Sequence, residues 1–162
     1  MRTTDALLKG EVDLVISPQP PPGFFSELLM CVRLVAVAHV NHPLHQSRSL
    51  LTRKDLNSHR HIVVRDSGVQ RDRRSVSVEV NQRWTLSQLS TSIQAVMMGF
   101  GFAWLPEGFI SDELTSGVLK PLRMKGGTID VPLYITVVDP DSIGPAAQHL
   151  LNIIRETVFA GI

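Results

Sequence analysis

Only one cysteine, Cys31, occurs in the chain, so no intrachain disulfide can form and no thiolate cluster can hold a metal within one chain. Charge of one sign is equally scarce. The 16 Lys and Arg residues face 15 Asp and Glu, a formal net of +1, which supplies no overall field for gripping a polyphosphate. No apolar run is long enough for a bilayer span, and Met1 to Gly10 lacks the greasy stretch of a secretory signal. These absences suit a reducing compartment, and a cytoplasmic location is expected. Also missing are a nucleophile elbow, a zinc-protease helix and a Gly-rich loop ending in Lys-Ser or Lys-Thr. Cys31 stands beside a strand with no convincing histidine partner. The expectation is therefore a protein that is not an enzyme and needs no cofactor.

What remains is the composition of a folded protein. Apolar residues make up 43% and charged ones 19%, with 10 prolines and 11 glycines to break the chain into elements. A length of 162 residues suffices for one sizeable core or two small lobes.

The apolar spacing predicts α/β order. A helix ends at Asp5 to Lys9, stopped by Gly10, and a short buried strand follows at Val12 to Ile16. A second strand spans Leu34 to Ala38. Leu51 to Leu56 reads as a short helix capped by Thr52, with Asp55 as its reciprocal partner. Strands are expected at His61 to Val64 and, with period-two alternation, at Ser75 to Val80. The strongest helix runs from Leu86 to Met98, with Leu86, Leu89, Ile93 and Met97 on one face and Thr85 or Ser87 as cap. Then come a strand from Phe102 to Leu105, a helix beginning at Glu107 and running to Leu114, a strand from Leu119 to Met124, a strand from Val131 to Val138, and a terminal helix from Ile143 to Val158.

Several residues stand where ligands gather. Ser17 and Gln19 follow the first strand, at the strand-end position favoured in open α/β sheets, and Pro18 and Pro20 stiffen Gln19; an inert rigid loop is the alternative. Arg65 and Ser67 follow another strand, where Arg65 would pair with a carboxylate or simply with Asp66 or Glu79. Trp84-Thr-Leu-Ser87 precedes a helix whose free N–H groups favour an anion, unless Thr85 is a plain cap. Gly99-Phe-Gly101 runs from helix to strand, the reverse of a dinucleotide fingerprint, so it reads as a tight turn. His39, His42 and His45 repeat every third residue, but a strand end and a proline turn with no nearby acid or thiol argue against a metal. Arg71, Arg73 and Arg74 read as a solvated loop, since Asp72 interrupts them.

Five segments, in order, resemble the effector-binding domain of LysR-type transcriptional regulators. Gly10-Glu-Val-Asp-Leu-Val-Ile16 is similar to that family's strand entry, and Leu34-Val-Ala-Val-Ala-His-Val-Asn-His-Pro-Leu44 to its crossover strand and loop. Leu51-Thr-Arg-Lys-Asp-Leu56 resembles the next helix, and Gly144-Pro-Ala-Ala147 the start of the last. Ala95-Val-Met-Met-Gly-Phe-Gly-Phe-Ala-Trp-Leu-Pro106 is the most diagnostic. The resemblance implies an α/β, two-lobed fold like that of periplasmic binding proteins (type 2). Lobe I would comprise 1–33 and 132–162, and lobe II 34–131. It implies further that this family's winged helix-turn-helix and the opening strand, helix and strand are not in this chain, so the first lobe is incomplete.

Function follows as an expectation from the resemblance. A small-molecule effector, a carboxylate or an aromatic acid, would bind between the lobes, touched by Ser17, Gln19, Arg65, Ser67, Thr85, Phe100 and Phe102. The chain would work as a homodimer or tetramer, reach DNA only through the helix-turn-helix domain, and involve no membrane. A solute-binding protein of related fold and a non-sensing oligomerisation fragment are the alternatives. Because the basic residues are dispersed and no recognition helix is present, the isolated chain should show no sequence-specific, sub-micromolar DNA binding in a mobility shift.

Overall fold

The computed structural model describes residues 3–64, 80–139, 141 and 143–160. The chain divides into two compact units. One is formed from the two ends, by the described residues of 1–32 and 131–162; the other holds the described residues of 33–130.

The first unit opens with helix α1 (Thr3–Leu8), which buries Ala6 and Leu7 and stops at Gly10, φ +64°. There the Gly10 and Glu11 amides donate to the Leu7 and Ala6 carbonyls, as the glycine stop predicts. Strand β1 (Leu14–Ser17) takes as its antiparallel partner β7 (Thr128–Val137), in register from Leu14 with Val137 to Ser17 with Tyr134. The expected buried strand is only half covered, and Ile16 is 44% exposed. Helix α5 (Pro145–Ala160) starts two residues later than its apolar spacing suggests, because proline is well suited to a first helical position. Arg155 on α5 pairs with Glu27 at 2.6 Å, and Ser26 Oγ shares a hydrogen bond with the fully buried Thr136.

Strand β2 (Ser26–His39) is far longer than the Leu34 to Ala38 core that hydrophobicity marks. Its first half is mostly exposed, so no buried face announces it in the sequence.

In the second unit the strand order is β2, β5 (Phe102–Pro106), β3 (Arg60–Val64), β4 (Gln82–Leu86), with β6 (Leu119–Pro121) also on β2. β5 runs antiparallel to β2, and β3 parallel to both β5 and β4. Alternation of β5 splits its side chains between two clusters. Ala103 and Leu105 join Val35, Val37 and Ile62 under helix α3 (Leu89–Met97), whose Ala95 and Val96 are buried. Phe102 joins Ala36, Ala38, Leu44, Leu51 and Leu122 with Leu56 of helix α2 (Arg53–Asn57). Each large apolar side chain so buried contributes roughly 1.5–3 kcal/mol.

The Thr52–Asp55 pairing forms at the start of α2. The Asp55 carboxylate accepts from the Thr52 amide at 2.6 Å and from its hydroxyl at 2.7 Å, which holds the Asp55 pKa below its ordinary value. Three expectations need correction. Leu86 belongs to β4, and α3 begins at Leu89 with Gln88 as N-cap, so Thr85 is a strand residue and caps nothing. The expected helix from Glu107 becomes a 3-10 turn (Glu107–Phe109) and then helix α4 (Ser111–Ser116), because Ile110 between them leaves helical geometry to bury its side chain completely. The strand after Leu119 ends at Pro121. The strand expected at Ser75 to Val80 lies outside the described residues apart from Val80.

The Gly99-Phe-Gly101 turn divides its labour. Gly99 takes the left-handed conformation, φ +79°, at the end of α3. Gly101 instead passes so close to the Arg60 backbone that an added Cβ would overlap the Arg60 carbonyl oxygen. Gly101→Ala should therefore lower the unfolding free energy by about 2 kcal/mol or more, since backbone on either side must move. Gly99→Ala should lose only about 1 kcal/mol, the ordinary cost of left-handed geometry. Urea denaturation ranks the two, and equal midpoints would contradict the close-approach account.

Candidate functional site

Strands β3 and β4 are parallel and in register from Arg60 with Gln82 to Val64 with Leu86, so their carboxyl ends stand together. Beyond Leu86 the chain turns through Ser87 and Gln88 into α3. Gln88 makes no side-chain cap, and no charged residue stands in the first turn. The buried Ser92 hydroxyl donates back to the Gln88 carbonyl at 3.1 Å and so is committed to the helix itself. Ser87, Gln88, Ser90 and Thr91 are all exposed around this start. A nine-residue helix leaves its first amides without intrahelical acceptors. The result is a neutral, hydroxyl-rich collar around a positive helix end, which suits a small anion.

Thr85 is exposed on β4 beside this turn, opposite Val63. Arg65 and Ser67 lie outside the described residues. In the first unit Ser17 closes β1, and its hydroxyl donates to the Gln19 carbonyl at 2.6 Å, which fixes the proline-rich loop where the strand ends; Gln19 itself is exposed.

The two phenylalanines go elsewhere. Phe102 has no exposed surface and stacks on His61 at 5.0 Å, nearly parallel, so its role is packing rather than the ligand contact expected of it. Phe100 is 44% exposed, but it belongs to the amino ends of the parallel strands. There Arg60 donates to the Phe100 carbonyl at 3.4 Å and to Gln82 Oε1 at 3.2 Å, and its guanidinium carbon lies 4.1 Å from the centre of the Trp84 ring. That cation–π contact stabilises by about 0.5–1 kcal/mol. Four residue steps of strand, roughly 13 Å, separate Arg60 from the Val64 end. Phe100 and the start of α3 are thus not one site. Sequence reading misses Arg60, whose role exists only through the register of three strands, and it misses Ser90 and Thr91 because it starts the helix too early.

The histidines are structural in geometry. Among the described residues no group of three or more His, Cys, Asp or Glu could hold a metal ion. His61, 4% exposed between Phe102 and Trp104, has its pKa pushed down to about 4 by burial and, secondarily, by the charge of Arg83. His42, 7% exposed, is likewise lowered to about 4 by burial and then by neighbouring histidines. Both groups stay neutral in the fold at pH values where the unfolded chain would take up protons. Their contribution is therefore fully present above pH 6.5 and declines as the pH falls from about 6.5 toward 4. The unfolding free energy from urea denaturation should be flat above neutrality and fall on acidification, by roughly 1–3 kcal/mol per histidine. His61→Phe should flatten part of that fall; an unchanged profile would remove His61 from the account.

Residues 1–158 match the family described as the LysR substrate binding domain. The HTH-type transcriptional regulator YhaJ of Escherichia coli O157:H7 and the protein described as 'Probable HTH-type transcriptional regulator YhaJ' of Escherichia coli strain K12 are each 29% identical over 154 residues, 91% of this chain and 51% of theirs. The chain thus spans about half the length of the curated relatives it matches. The MetR regulatory domain of N. meningitidis superposes with a TM-score of 0.77 at 20% identity, over 99% of this chain and 76% of that one. The apo regulatory domain of HypT from Salmonella typhimurium gives 0.73 at 22%, over 98% and 78%. At these identities the likeness establishes the fold, a two-lobed α/β architecture of the periplasmic-binding type. By a match that takes in nearly its whole length, this chain belongs to the LysR substrate-binding domain family, the effector-binding regulatory part of LysR-type regulators.

Proposed function

We propose that this chain senses a small anionic metabolite, a carboxylate or aromatic acid, on behalf of a transcription regulator and performs no chemical turnover. One observation carries the reading: the uncapped start of α3, ringed by Ser87, Ser90 and Thr91 at the carboxyl end of parallel strands. Open α/β sheets gather ligands at that end, and helix amides favour negative charge. Thr85 stands on the adjoining strand, and Arg65 and Ser67 come one and three residues after Val64 in sequence; a guanidinium complements a carboxylate. Two solved regulatory domains of the same fold support a small ligand: CcmR of Synechocystis is in complex with 2-PG, and HypT is bound to a bromide ion.

The effector acts by differential affinity for two arrangements of the regulator, which shifts their populations. The working assembly is a homodimer or tetramer in the cytoplasm. DNA is contacted by a helix-turn-helix domain of the complete protein. Within the described residues no helix is long and apolar enough to cross a membrane.

The test is calorimetric titration with a panel of small carboxylates and aromatic acids, run on this chain and on the full-length regulator. A binding acid should raise the melting temperature of both. Ser87→Ala combined with Thr91→Val should weaken that acid about tenfold, near 1.4 kcal/mol, while leaving the unliganded melting temperature in place, because both side chains are exposed. Undiminished affinity in the double variant would move the site away from α3.

A further inference from the structure

Three histidines at successive third positions each make a hydrogen bond to nearby backbone. His39 Nδ1 accepts from the Asn41 amide at 3.2 Å, His42 Nδ1 accepts from the Leu44 amide at 3.2 Å, and His45 Nε2 lies 3.4 Å from the Ala38 carbonyl. The repeat is therefore a backbone clasp around the 3-10 turn Pro43–Gln46, for which His42 is the N-cap. Leu44, which this turn presents, is 4% exposed and sits in the core cluster with Leu51, Leu56 and Phe102. Facing the His42 ring is His59, just beyond α2, with ring centroids 5.1 Å apart and planes tilted by 60°.

We propose that His42 and His59 form a proton-operated latch on this turn, shut while His42 is neutral and released when His42 takes a proton. An imidazole that accepts at Nδ1 must carry its single hydrogen on Nε2. Protonation turns the Nδ1 acceptor into a donor, so the Leu44 amide loses its partner and two N–H groups face each other. It also places a full charge beside a second imidazole at a buried position. The surrounding groups offer little compensation. On its own segment His42 has His39 and His45 for neighbours. From α2 and its exit, Lys54, Asp55 and His59 line one shared surface depression with Pro43 and Leu44. From β6, Lys120 adds positive charge near His45. Asp55 is the carboxylate in that lining, and it already accepts from the Thr52 amide and hydroxyl. Opening the latch draws Leu44 away from its cluster, so the carboxyl end of β2 loosens under acid.

Nuclear magnetic resonance on the whole chain tests this without a ligand. From pH 8 down through about 4, and as far below it as the chain stays folded, the Leu44 amide shift should titrate with the same midpoint as the His42 ring, while the Leu105 amide in β5 stays constant. Ring nitrogen shifts should place the neutral hydrogen on Nε2. His42→Asn keeps an N-cap acceptor but cannot titrate, so its Leu44 amide should become insensitive to pH. His59→Gln should raise the His42 midpoint by removing the facing imidazole. A Leu44 amide that is flat in the unaltered chain, or that moves with a midpoint other than that of His42, overturns the proposal. Continued titration of Leu44 in His42→Asn does so as well. The co-titration is read in the unaltered chain, so it decides the matter even if a variant fails to fold.

Discussion

The close approach of Gly101 to the Arg60 carbonyl is the constraint on which the second unit is built. It lets β5 enter the sheet between β2 and β3, antiparallel to one and parallel to the other. From that central place β5 supplies Phe102 to one core cluster and Ala103 and Leu105 to the other. A side chain at position 101 would hold β3 and β5 apart, and both clusters would lose their common wall. The same contact brings Arg60 to the Phe100 carbonyl and against Trp84, so an exposed aromatic group at the amino ends of the strands is a by-product of core packing.

Much of this is legible in the sequence, and the failures have physical causes. Gly10, Gly99, and Thr52 with Asp55 act locally, through their own backbone conformation or a partner three residues away, so spacing reveals them. Leu86 misleads because its position satisfies two patterns. It continues the helical spacing of Leu89 and Ile93, yet it packs against the same cluster from β4. The first half of β2 is invisible because its faces are largely exposed, and only pairing with distant segments makes it a strand. Among the candidate ligand contacts, Ser17 is legible as a strand-end position, whereas Thr85, read as the approach to a helix, is a residue of β4. Phe102 faces the core instead of a ligand, because a turn motif fixes where β5 starts but not which alternate residues are buried. Arg60 has no local signal.

Neutrality is a recurring property of the interior. His42 and His61 are buried, and burial is the main reason that both lose proton affinity. At the α3 entrance the same economy applies: hydroxyl and amide groups surround a helix end with no fixed charge in its first turn. A helix end of that kind offers orientation and partial positive charge without the desolvation cost of an unpaired ion.

The pairing of β1 with β7 has a consequence for the order in which the protein can be made. Leu14 and Val137 are more than a hundred residues apart, so β1 leaves the ribosome long before its partner exists. The second unit, by contrast, is drawn from a single inner stretch of the chain and can assemble while translation continues. The first unit closes only when the last segment arrives, and during that interval Val15 and Ile16 wait without their strand partner. A vectorial folding sequence follows from topology alone, with the inner unit ahead of the outer one. The waiting strand is then the segment that a chaperone would be expected to shield.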